Sequence, residues 1–237
     1  MKKLFAIVLV MMAYKAGAQN LVYDANAEVR KVAAFNGVDA GGGITVYISQ
    51  GKEQAIAVSA DDDKNVSKIK TEVKDGVLKI YIDAAMWNNW SWGNKKIKAY
   101  VTVTELNKLE LSGGSVGKIV DEINTNTIDV ECHGGSIVNG KITASKFSLD
   151  LTGGSIATIS GTYADATVAA SGGSIVKDFD AVMDICKVDA SGGSVISLTV
   201  NKELSADASG GSIINYKGAG IIKSVDTSGG SVIKKKE

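Results

Sequence analysis

Six carboxylates and one alanine recur at a nearly fixed interval: Glu110, Glu131, Asp150, Ala169, Asp189, Asp207 and Asp226. If the repeats that carry them stack, these side chains stand about 4.8 Å apart along one outer face. Such a ladder offers hard oxygen atoms to a divalent cation, with Asp150, Asp189, Asp207 and Asp226 as the candidate ligands. Calcium takes about six to eight oxygens, however, and one carboxylate per repeat falls short of that. Ala169 also breaks the series. A solvated face that keeps a long β surface soluble accounts for the column, so no metal and no other cofactor is expected. The same spacing suits retaining glycoside hydrolysis, in which two carboxyl groups stand about 5 Å apart. That chemistry needs one carboxyl protonated and its neighbour ionised. Here the acidic position recurs with no neighbour to set one copy apart, so a non-catalytic protein is expected. A polysaccharide-active enzyme working along the acidic face is the alternative.

Other residues depart from the background. His133 is the only histidine and stands where the other six copies have serine or threonine. Its reference pKa suits a general base, but every serine near it recurs identically elsewhere, and an exposed corner residue is the simpler reading. All three tryptophans fall within Trp87-Asn88-Asn89-Trp90-Ser91-Trp92. Aromatic faces beside amides suit stacking on sugar rings or a hot spot for a protein partner, so Trp87, Asn88, Asn89, Trp90 and Trp92 are the candidate ligand contacts. The competing reading folds the tryptophans back over an apolar flank. Asp61-Asp62-Asp63, followed by Lys64-Asn65, lacks the spacing of a calcium loop and reads as a solvated turn.

The elements that position these residues come from an internal repeat. Gly-Gly-Ser followed by Val or Ile begins at Gly113, Gly134, Gly153, Gly172, Gly192, Gly210 and Gly229, with steps of 21, 19, 19, 20, 18 and 19 residues. Before each pair, apolar positions such as Val130 and Cys132 flank the acidic one, a period of two that marks a strand with one buried face. After each pair come an unbroken serine column, Ser115 to Ser231, and an apolar column, Val116 to Val232. A repeat near 20 residues cannot bury its own apolar face. Stacked as coils it buries the apolar columns and pairs every strand with the next. The expected fold is therefore all-β: a right-handed, single-stranded parallel β-helix of strand, glycine corner, short strand and variable return.

The same register bears on the two cysteines. Cys132 is in the inward column two before its glycine pair, and Cys186 shares a column with Ile128, Phe147, Ala166 and Leu204. Three coils separate them by about 14 Å, and a disulfide needs Cα atoms within about 7 Å. Two buried free thiols are expected.

Ahead of the regular coils of residues 106–237, residues 19–105 hold one degenerate copy, Val38-Asp39-Ala40-Gly41-Gly42-Gly43, and longer strands. They read as an irregular β section or cap, continuous with the helix. Lys74-Asp75-Gly76-Val77 marks a hairpin. Residues 1–18 read as a signal peptide: a basic start, an apolar run from Leu4 to Tyr14, and Ala16-Gly17-Ala18 as the cleavage site. The run is too short to span a bilayer. Removing Lys2, Lys3 and Lys15 from 26 basic against 26 acidic residues leaves a net charge of −3. With Arg30 the only arginine, no nucleic-acid partner is expected. The 45% hydrophobic content against 22% charged excludes a disordered chain.

The leader, the Phe35-Asn36-Gly37-Val38 segment and the stacked Gly-Gly-Ser corners resemble the putative auto-transporter adhesin head GIN domain family of secreted bacterial proteins. The resemblance covers nearly the whole mature chain. It implies a right-handed β-helix and an adhesin-like role, and it brings no catalytic motif. Taken together, the sequence points to an exported, non-catalytic protein, periplasmic or at the cell surface, that presents a binding surface to a glycan or a cell-surface protein. A purely structural envelope component is a further alternative.

Overall fold

The computed structural model describes residue 24, residues 26–82 and residues 96–237. The expected leader and the tryptophan segment, with Trp87, Asn88, Asn89, Trp90 and Trp92, lie outside the described residues. Among the described residues no helix is long and apolar enough to cross a membrane.

The amino-terminal part contains β1 (Glu28–Arg30), β2 (Gly37–Gly41), β3 (Thr45–Gln50), β4 (Ala55–Ser59), one helical turn α1 (Asp63–Val66), β5 (Ile69–Lys74), β6 (Val77–Ile82) and β7 (Lys98–Val103). Then come β8 (Lys108–Ser112), β9 (Val116–Ile119), β10 (Ile123–Cys132), β11 (Ile137–Leu151), β12 (Ile156–Ala170), β13 (Ile175–Ala190), β14 (Val195–Ala208), β15 (Ile213–Lys217), β16 (Ile221–Thr227) and β17 (Val232–Lys235). All seventeen belong to one sheet wound into a β-solenoid. Successive coils pair in parallel, and the columns read from the repeat are the observed registers: Val130, Leu149, Val168, Val188 and Ala206 stack one above another.

The variable return between corners is itself strand in the regular coils. β11, β12, β13 and β14 each run without interruption from one glycine pair almost to the next. A loop there would strand buried backbone groups, whereas a strand keeps them bonded to the coils above and below.

The corner explains the serine column. Both glycines of a pair have positive φ, 66° at Gly153 and 78° at Gly154, which lets the chain reverse in two residues. A side chain on Gly153 would also meet the backbone nitrogen of Gly134 in the coil below at 3.1 Å. The following serine turns inward, where Ser155 Oγ donates 2.7 Å to the carbonyl oxygen of Thr152. The same bond recurs at Ser136, Ser174, Ser194 and Ser212. With its hydroxyl satisfied locally, serine can be wholly buried at the tight corner. Alternation then sends the next column outward. Val116, Ile137, Ile156, Ile175 and Val195 are half-buried on the outer surface, and Ile213 and Val232 are 39% and 47% exposed. The apolar column expected to be buried after the glycines is thus an outer stripe, while the polar column is inside.

Two faces meet at this corner. The first carries the strands that precede the glycines, in spatial order β6, β2, β8 and then the ends of β10 to β14 and β16. The second carries the strands that follow, β7, β3, β9 and then the starts of β11 to β14, β15 and β17. The coil of β2 and β3 therefore lies between the β6–β7 coil and the β8–β9 coil, although it is first in the chain. Beyond β6 and β7 the parallel ladders end in antiparallel strands: β5 on β6, β4 on β7 and β1 on β4. The β5–β6 turn has φ of 52° at Asp75 and 76° at Gly76, as a two-residue hairpin requires.

Asp24 latches onto this end, with Oδ2 2.8 Å from the Tyr100 hydroxyl and 3.1 Å from Lys98 Nζ. Inside the solenoid, Phe147 and Tyr163 stack at 4.3 Å. Cys132 and Cys186 are buried and free. Burial pushes each thiol up to about 12.

Candidate functional site

The first face places the acidic column in line. Asp39, Glu110, Glu131, Asp150, Ala169, Asp189, Asp207 and Asp226 pair successively from coil to coil. Asp39 is paired with Lys79 at 3.4 Å, while Asp189, Asp207 and Asp226 are exposed. Asp150, Asp189, Asp207 and Asp226 remain a row of single carboxylates, because Ala169 separates the first from the rest and each coil adds only one.

The column ceases to be uniform between the β8 and β10 coils. Lys108 and Asp129 occupy the next outward position on the same face and pair across the two coils. Lys108 Nζ lies 3.4 Å from Glu110 and 3.3 Å from Glu131, bridging the two carboxylates. His133, two residues beyond Glu131 on the same side of the strand, sets Nε2 3.6 Å from Glu131 and Nδ1 2.8 Å from Thr152 Oγ1. His133 is thus an engaged, half-buried residue rather than an exposed corner.

This grouping makes neighbouring carboxyls unequal. Burial raises the Asp129 carboxyl, and the adjacent Glu131 charge raises it further against a hydrogen bond from Ser148. Burial also acts to raise Glu131, but Lys108, Asp129 and His133 outweigh it and hold Glu131 below the ordinary carboxylate range. The two glutamates in turn raise the Lys108 ammonium against its own desolvation. Divergent carboxyls are what acid–base chemistry uses. Their position is on an open face, however. A cleft of about 580 Å³ lies elsewhere, lined by Phe35, Asn36, Lys52, Gln54, Thr104 and Glu105. Among these, Gln54 accepts from the Phe35 amide at 3.2 Å and donates back to the Phe35 carbonyl.

Among the described residues, Glu110, Glu131 and His133 form a group of three whose ligand atoms all lie within 4.8 Å of one another. With Thr152 Oγ1–H donating to Nδ1, the proton sits on Nε2 and faces the Glu131 carboxylate, which is how His133 helps hold Glu131 low. The Lys108 ammonium already occupies the space between the two carboxylates and offsets one of their two charges. The four aspartates named from the sequence are not in this group. The signal for it lay in the 21-residue step, which sets Glu110 beneath Glu131, and in His133 standing two residues beyond Glu131. Asp61, read as part of a solvated turn, is exposed in a bend and also accepts the backbone N–H of Lys96 at 3.0 Å.

Residues 34–220 match the sequence pattern of the family described as "Putative auto-transporter adhesin, head GIN domain". No curated protein matches the chain. Among solved structures, a putative adhesin from Bacteroides fragilis is 22% identical, with 89% of this chain and 96% of that one covered and a TM-score of 0.79. A putative adhesin from Parabacteroides merdae is 13% identical, with 89% and 95% covered and a TM-score of 0.69. A putative lipid binding protein from Parabacteroides distasonis is 22% identical, with 90% and 97% covered and a TM-score of 0.66. At these identities the likeness is one of fold.

Proposed function

The chain belongs to the family described as putative auto-transporter adhesin, head GIN domain, and from that premise we propose that it is an exported, non-catalytic, adhesin-like protein at the cell surface. It presents a binding surface for a glycan or a surface protein on a rigid rod. The observation that carries this reading is the parallel pairing of successive coils from β6 and β7 through to β16 and β17, closed beyond β6 and β7 by antiparallel strands. Most strand residues in such a ladder are held by the next coil, which suits the holding of a contact surface more than movement around a substrate.

The contact proposed is Trp87, Asn88, Asn89, Trp90 and Trp92. In chain order this segment stands between β6 and β7, the step that later coils make with a glycine pair. Its aromatics and amides suit sugar rings and hydroxyls. A glycan array probed with residues 19–237 tests the reading, beside a variant with Trp87, Trp90 and Trp92 changed to alanine. Specific signals that the folded variant loses support it. Signals retained by the variant move the contact to the solenoid faces, and a blank array removes the glycan.

The unequal pair Asp129 and Glu131 supports a second reading, polysaccharide cleavage on the first face. Reducing-end release from envelope polysaccharides, abolished by Glu131→Gln, would establish it. No release from any of them would retire it.

A further inference from the structure

The two faces that meet at the glycine corner differ in charge as well as in polarity. The first carries the acidic column. On the second, the outward aliphatic stripe from Val116 to Val232 is flanked by a column in which Lys118, Lys177 and Lys234 recur at three-coil intervals, about 14 Å apart. Neither outward column of the second face holds a carboxylate from β3 to β17. All three lysines are exposed and none has a carboxylate partner among the described residues, Lys118 lying 5.3 Å over the Tyr47 ring.

We infer that the second face is a docking surface for an anionic phospholipid bilayer, with the rod lying flat. Aliphatics beside unpaired lysines match an interface in which phosphate charge borders hydrocarbon. The backbone allows it too, because the strands of this face from β3 to β15 are paired on both sides and bring no open peptide groups to a water-poor layer. The acidic face of a second copy would answer the lysines. It would also press carboxylates such as Asp150 and Asp189 against Ile156 and Ile175, burying charge on an apolar surface. Charge and polarity together therefore favour lipid. The inference stands independently of the tryptophan contact.

Cosedimentation of residues 19–237 with vesicles tests it; this segment contains every described residue. The expected result is binding to vesicles containing phosphatidylglycerol, none to phosphatidylcholine alone, and weakening in high salt. Lys118→Glu with Lys177→Glu should lower the partition on the order of tenfold or more, since each lysine near an anionic surface contributes severalfold. Ile156→Thr with Ile175→Thr should lower it as well, and Lys187→Glu on the first face should not. Thermal melts of each variant establish that the fold is kept. Absence of binding, equal binding to neutral vesicles, or binding indifferent to the lysine reversals overturns the inference. So does a dimer in sedimentation velocity that the lysine reversals dissolve, which would assign the face to a second copy.

Discussion

His133 and Thr152 are nineteen positions apart in the chain, yet Nδ1 of one lies 2.8 Å from Oγ1 of the other. The contact marks where a repeating surface turns local, because the same coil holds Asp129 and Glu131 in unequal states beneath it. Elsewhere the position of His133 is a hydroxyl, and the acidic residue has no imidazole beside it.

The Asp129 carboxyl, raised by burial and by Glu131, disfavours the folded state once ionised. Asp129→Asn is therefore expected to raise the melting temperature at pH 7. Its advantage should shrink as the pH falls and the wild-type carboxyl takes up its proton. Melting curves at pH 7 and pH 3.5 check this; equal gains at both would show that charge is not the cause.

Asp24 has the opposite sign. Burial acts to raise it, but hydrogen bonds from Tyr100, Lys98, Ser59 and the Asn26 amide outweigh that and hold it low. Its contribution to stability is present above the unfolded-state value near 3.9 and is lost as the pH falls through the lower folded value. Asp24→Asn should thus lower stability at neutral pH and flatten the acid limb of the pH–stability curve.

Removing one corner hydroxyl leaves a carbonyl without its internal partner. Ser155→Ala is expected to cost about 1–2 kcal/mol in urea unfolding. Valine at the same position should cost more, since the fully buried corner has no room for a second methyl group.

The two glycines of one corner should respond differently. Alanine at Gly153 meets both a positive φ and the Gly134 backbone, whereas at Gly154 only the φ is unfavourable and the space beyond is open. Gly154→Ala is expected to cost about 1–2 kcal/mol, and Gly153→Ala clearly more. A reversed order would show that corner stacking tolerates adjustment.

Thiol titration without reductant should find no reactive cysteine in the native protein and two after unfolding. Cys132 and Cys186 are buried, and their thiols are pushed up to about 12. A count of zero after unfolding would require a disulfide, and with it a different stacking of the coils.

The repeat makes the coil register legible in the sequence alone, because alternation and a near-constant step leave one way to stack Ile128, Phe147, Ala166, Cys186 and Leu204. Two things were hidden. The inversion at the corner follows from the glycine dihedral angles and the bond of each serine to a carbonyl three residues back, neither of which an apolar pattern reports. The convergence of Lys108, Glu110, Glu131 and His133 depends on side-chain reach between coils, which a column read one position at a time does not register. The antiparallel end was only partly visible: Asp75-Gly76 signalled its hairpin, but nothing local signals that β2 pairs with both β6 and β8.

That last pairing governs the order in which the molecule can assemble. From β10 to β14, each strand finds its partner about twenty residues away, so closing one coil prepares the next at small entropic cost. β2 must wait for β6, forty residues later in the case of Gly37 and Val77, and then for β8 at Lys108. By loop-closure cost alone, the amino-terminal pairings are expected to form later than the evenly stepped coils. A chain refolding from denaturant would then zip its evenly stepped coils first and leave β2 and β3 open until β6 to β9 come to hand.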